Sequence, residues 1–92
     1  MIKSFRHKGL KRLYEEDDRR GVIQEHVTKL RNILARLDAA STVQDMDLPS
    51  FGLHALKGNL IGFWAVIVRA NWRVIFRFAD SHAYEVDYVH YH

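Results

Sequence analysis

Ninety-two residues, of which 48% are apolar, suffice for one hydrophobic core and leave no room for a second lobe. The absence of cysteine excludes a disulfide framework and a thiolate metal site. No apolar run approaches the roughly 20 residues a membrane helix needs, and Met1-Ile2-Lys3-Ser4-Phe5-Arg6 has no apolar segment behind its charge, so the expectation is one cytoplasmic domain over residues 1–92.

The net charge of +3 matters less than its distribution. Lys3, Arg6, Lys8, Lys11 and Arg12 crowd the first dozen residues, and Leu48 to Ala79 contains Lys57, Arg69, Arg73 and Arg77 with no acid. Acid is gathered in Glu15-Glu16-Asp17-Asp18. Segregated positive charge is what a polyanionic partner, nucleic acid or an acidic protein, would require, and a solvated basic face with no partner is the equal alternative on charge alone.

In chain order, Ile2 to Phe5 reads as a short edge strand. His7 to Glu16 reads as a helix with Leu10, Leu13 and Tyr14 on one side. Its acidic end opposes the helix dipole, so it should end by Asp17 or Asp18. Ile23, Val27, Leu30, Ile33, Leu34 and Leu37 recur with a 3.6-residue period and predict an amphipathic helix over Val22 to Ala39. Lys29, Arg31 and Arg36 fall mostly on its other side. Val43 to Gly52, with the single proline, Pro49, reads as a loop. The period then changes to two. Leu53 to Leu56 reads as a short strand, Phe63 to Arg69 as a β-branched and aromatic strand, and Ala70-Asn71 as a tight turn. Trp72 to Phe78 alternates, and Asp80-Ser81 turns the chain into a last strand from Ala83 to Tyr88 or beyond. Strands joined by short turns are antiparallel. The predicted class is α+β: two N-terminal helices packed on one face of a mainly antiparallel sheet. Trp72, Val74, Phe76 and Phe78 should face the helices, which leaves Arg73, Ile75 and Arg77 on an open face. No acid near in sequence is available to pair Arg73 or Arg77.

Three groups of residues could carry chemistry. His54 and Lys57 flank a strand end, although either alone is more often surface decoration. Tyr88-Val89-His90-Tyr91-His92 is unusually rich in titratable rings for a chain end. Arg73 sits on the open face. Cleavage of RNA by its own 2′-hydroxyl needs a base for that hydroxyl, an acid for the departing 5′-oxygen and positive charge at the phosphorane. Histidine serves as base or acid near neutrality. Tyrosine orients the hydroxyl, or donates a proton when nearby cations lower its pKa. Lysine and arginine neutralise phosphate charge, arginine with two prongs. Aromatic rings can also hold an unstacked base. The nucleophile is intramolecular, so no metal-activated water is required. A zinc site from His54, His90 and His92 is the weaker alternative, because no carboxylate or cysteine joins that segment.

Met1-Ile2-Lys3-Ser4-Phe5, Leu53-His54-Ala55-Leu56-Lys57-Gly58, Val68-Arg69-Ala70-Asn71-Trp72-Arg73-Val74-Ile75-Phe76 and the closing Tyr91-His92 occur in this order. Together they resemble the HigB-type toxins of the RelE/ParE superfamily, the plasmid maintenance system killer group, over essentially the whole chain. The resemblance implies a ribosome-dependent mRNA interferase that cuts in the ribosomal A site on the 70S ribosome, with no metal or other cofactor. It implies a HigA-type helix-turn-helix antitoxin, binding of operator DNA only through the antitoxin complex, and no membrane. It carries catalytic roles onto His54, Lys57, Arg73, Tyr91 and His92. His54 and His92 are then the acid–base pair, Lys57 and Arg73 the charge stabilisers, and Tyr91 an orienting or proton-transferring group. His90 stands where the family commonly has aspartate, and is expected to substitute in part as a proton carrier. Arg77, Lys8, Lys11, Arg12 and His90 are further candidates for RNA contact, the N-terminal cluster toward ribosomal RNA or an acidic antitoxin segment. The rivals are a ParE-like inhibitor of DNA gyrase on the same scaffold and a non-catalytic nucleic-acid-binding module.

Overall fold

The computed structural model describes residues 1–91. It contains α1 (Lys8–Glu16), α2 (Val27–Ala39), β1 (His54–Ala55), β2 (Phe63–Arg69), β3 (Trp72–Ala79) and β4 (His82–His90), with 3₁₀ turns at Gln24–His26, Val43–Met46 and Gly58–Leu60. The strands form one antiparallel sheet in the order β1-β2-β3-β4, with both helices in a layer on one side. The predicted α+β class is the observed one.

α1 begins where His7, in extended conformation, accepts a hydrogen bond at Nδ1 from the Leu10 N–H at 3.0 Å. It ends at Asp17, whose φ of 55° is left-handed. Its start is pinned by a backbone contact: a Cβ on Gly9 would lie 2.4 Å from the Gly21 carbonyl oxygen, and one on Gly21 would lie 2.6 Å from Gly9 Cα. α2 starts at Val27 and not at Val22 as the periodicity predicts. The physical reason is side-chain competition. The Gln24 amide donates to the carbonyls of Arg19 and Val22, at 2.7 and 3.0 Å, and His26 turns inward to Tyr88, so this stretch is held as a turn.

The N-terminal segment is not a regular strand. It makes isolated parallel bridges, Ile2 to Ala83 and Phe5 to Val86, along the outer edge of β4. That edge is thereby partly covered. The stretch read as a loop, 43–52, also builds the core: Met46 and Phe51 are fully buried beside Leu30, Ile33, Leu37, Val66, Val74, Phe76 and Val86. Thr42 and Asp45 hold it in place with a reciprocal capping box. Fully burying one such side chain contributes about 1.5–3 kcal/mol.

The opposite sheet face was expected to be open, and half of it is not. Phe63, Ala65 and Ile75 form a second apolar patch there, covered by Leu56 and by Leu60 from the Gly58–Leu60 turn. Two irregularities shape this sheet. One residue is inserted in β2 near Val68, and one in β4 near Glu85, whose φ is 54°.

Candidate active site

Sheet register sets the layout of the face turned away from the helices. His54, Ala65, Ile75 and Asp87 form one cross-strand row, and Ile67, Arg73 and Val89 form the next. Beyond them the Tyr91 N–H donates to the Asn71 carbonyl at 2.8 Å, extending β4 alongside the β2–β3 turn. This places Tyr91 at Arg73, whose guanidinium carbon lies 5.4 Å from the phenol ring centroid. Arg73 is steadied by two donations from Nη1, to the carbonyls of Ala70 at 2.6 Å and Trp72 at 3.0 Å. Its Nε is buried without a hydrogen-bond partner.

His54 is exposed on β1, and its Nδ1 lies 3.0 Å from the Gly52 carbonyl. A carbonyl only accepts, so Nδ1 carries the proton, and in the neutral ring Nε2 keeps its lone pair. Gly52 is required here. Its φ is +55°, and a Cβ would come within 2.8 Å of Ile67 Cδ1.

Lys57 stands apart from Arg73. The Leu56 N–H donates to Phe63, so exposed Lys57 follows at the Phe63 end of β2, whereas Arg73 pairs with Ile67 at the other end. Those two rungs are about 13 Å apart along the strand, with the His54 rung midway. The face therefore has a cation at each end and an imidazole between them, and the predicted set does not meet at one point.

His90 lies on the other face. Its ring centroid is 4.9 Å from that of Trp72, which in turn lies 4.7 Å from Tyr88 on the helix side. Strand alternation separates His90 from Arg73 and Tyr91, correcting the expectation that it serves the same site. His92 lies outside the described residues. Among the described residues no group of three or more His, Asp or Glu side chains is placed to hold a metal ion. Lys8, Lys11 and Arg12 are exposed on α1, in the helix layer and away from His54.

Arg77 corrects a second argument. It is ion-paired, with Nε 2.9 Å from Glu85 Oε2, and it lies over the Phe63 ring at 4.4 Å. The acid comes from β4, where the inserted residue brings it opposite β3. Sequence reasoning also missed His26, 5% exposed and bonded through Nδ1 to the Tyr88 hydroxyl. Burial, with Arg69 nearby, lowers the His26 pKa, and burial raises that of Tyr88. A histidine interrupting the apolar stripe ahead of Val27 was the available signal.

With this geometry in view, comparison with known proteins decides the family. The profile of the RelE-like toxin of type II toxin-antitoxin system HigB matches residues 3–92. The chain belongs to this HigB-like toxin family. It is 41% identical to the Endoribonuclease HigB of Proteus vulgaris over 92 residues, the whole of both chains. It is 33% identical to Toxin HigB-1 of Vibrio cholerae over 83 residues, covering 88% of this chain and 87% of that protein. Membership in a type II toxin-antitoxin family gives this HigB-like chain an antitoxin as its partner. No helix among its described residues is long and apolar enough to cross a membrane.

Proposed function

We propose that the chain is an endoribonuclease that cuts mRNA on the ribosome by 2′-hydroxyl attack, without a metal. The observation that carries this reading is the Arg73 guanidinium held over Tyr91 one row from His54, whose Nδ1 is engaged by the Gly52 carbonyl. The Proteus vulgaris relative, named an endoribonuclease, supports it.

In this mechanism the scissile phosphate lies between the Arg73–Tyr91 pair and His54. His54 Nε2 accepts the 2′-hydroxyl proton. Arg73 offers its charge and its remaining terminal nitrogen to the phosphorane, where a group placed for the developing charge contributes about 10²–10³ in rate. Its donations to Ala70 and Trp72 occupy Nη1 and leave the other nitrogen of the fork to the phosphate. Tyr91 orients the attacking or leaving oxygen. His92 is assigned the proton donated to the 5′-oxygen. Lys57, at the far end of the face, acts on RNA charge next to the cut.

Lys8, Lys11 and Arg12 form a separate basic surface on α1, suited to ribosomal RNA and sensitive to salt. The proposed antitoxin is a HigA-type helix-turn-helix protein, with operator DNA bound only through their complex, and the proposed place of cutting is the A site. Mapping of mRNA ends in a translating extract tests the proposal. Cleavage that persists in EDTA and is lost in a folded His92→Ala variant supports it. Intact mRNA with accumulated DNA breaks would establish the gyrase-inhibitor alternative, and RNA binding with neither outcome a non-catalytic module.

A further inference from the structure

The end of the face opposite Tyr91 holds a second assembly of charge. Phe63, buried in the small apolar patch, carries two guanidiniums, with the Arg77 carbon 4.4 Å and the Arg6 carbon 5.7 Å from its ring centroid. The Glu85 carboxylate spans them, with Oε2 2.9 Å from Arg77 Nε and Oε1 3.9 Å from Arg6 Nε. Both ion pairs use Nε. The terminal nitrogens of each guanidinium, the two-pronged end that matches a phosphate, are left to other partners.

Several features set this arrangement. Glu85 sits at the inserted residue of β4 with a φ of 54°, a conformation costly for a side chain of its size, and the Ser4 hydroxyl accepts from its N–H at 2.9 Å. Gly62, with a φ of +94°, leaves the space that Arg77 occupies, since a Cβ there would lie 2.7 Å from Arg77 Nη1. All three charged side chains are nearly half exposed, at 49%, 46% and 44% for Arg6, Arg77 and Glu85. Ion pairs this exposed contribute little to stability. One carboxylate against two guanidiniums leaves the cluster net positive.

We propose that Arg6 and Arg77 form a second phosphate-binding subsite, taking a phosphodiester of the same RNA strand a few nucleotides from the one cut. This deepens the reading of the face as a ribonuclease site and rests on it. The Arg73 and Arg77 rungs are about 13 Å apart along β3, a span that takes more than one nucleotide of a single strand to cross. A strand lying along β3 thus meets Arg73, then the His54 row, then Arg77. Glu85 and Phe63 hold the two forks in place before RNA arrives, which lowers the ordering cost of binding.

Ribosomes programmed with a short synthetic mRNA provide the test. Arg77→Gln is expected to raise KM about tenfold with kcat unchanged, and to flatten the salt dependence by about one unit of slope. Flanking linkages are then replaced one at a time by uncharged methylphosphonate. At one linkage the wild type should lose the same factor while Arg77→Gln loses nothing further, and Arg6→Gln should be blind to that same linkage. Arg77→Lys keeps charge without the fork, and should recover part of the loss. If Arg77→Gln fails to fold by circular dichroism, Arg6→Gln carries the linkage test. The proposal is overturned if the variants lose equally at every linkage, lose kcat alone or lose nothing. A wild-type protein that leaves the mRNA intact would instead overturn the assignment of the site itself, and this inference with it.

Discussion

The two faces of the sheet are built to different standards. On the helix side, Val66, Val74, Phe76 and Val86 are fully buried against both helices and against Met46 and Phe51. On the other side, among the described residues, the buried patch is Phe63, Ala65 and Ile75, and arginines, a histidine and the Tyr91 ring surround it. One face supplies the free energy of folding. The other uses the resulting rigidity to hold charged groups at fixed spacing, which a self-contained open surface could not do.

Breaking the open face should cost activity without stability. His54→Ala is expected to lower cleavage about 10²–10⁴-fold and leave the melting temperature in place, as primer extension on translated mRNA and a thermal scan would show. A melting temperature that falls in step with activity would mean that the faces are not separable. Breaking the helix side should do the reverse. Phe76→Ala is expected to destabilise by about 3–5 kcal/mol, read from urea titration, with whatever remains folded retaining its cleavage rate.

A smaller effect sharpens the contrast, because a titratable group lies on the packed side. The His26 pKa is held below its ordinary 6.5 by burial and by Arg69, so the unfolded chain binds that proton more readily. The stability His26 contributes is complete above 6.5 and is lost as pH falls through that value toward the folded pKa. In urea titrations at about pH 8 and about pH 5, the difference between wild type and His26→Gln should shrink at the acid end. A difference that is constant with pH would remove His26 from the account. The smallest effect is expected at Leu60, half-buried over the minor patch. Leu60→Ala should cost about 1 kcal/mol or less, below the usual range for a core leucine. A larger loss would make the second patch a true core.

What could be read from sequence follows the range of the interaction. β2 runs from Phe63 to Arg69 as predicted, because adjacent β-branched and aromatic residues flanked by a turn define it locally. The facing of Val74 and Phe76 against Arg73 and Arg77 was also legible, since alternation is local. The start of α2 was not, because His26 answers to Tyr88, 62 residues away. Met46 and Phe51 are isolated apolar residues with no period to expose them. In the candidate site the residue types were visible and the register was not. Nothing in the spacing of His54 and Lys57 shows that Lys57 lies at the Phe63 end of the sheet while Arg73 lies at the Ile67 end. Arg77 looked unpaired because its acid arrives through an inserted residue in β4.

The parallel bridges from Ile2 and Phe5 to Ala83 and Val86 have a consequence for synthesis. The segment from Ile2 to Phe5 has no strand to join until the residues of β4 have been made, as the Ser4–Glu85 bond shows with its separation of 81 positions. Closing so long a loop comes late in folding. A half-made nascent chain therefore has neither a completed sheet nor the Arg6–Glu85 contact.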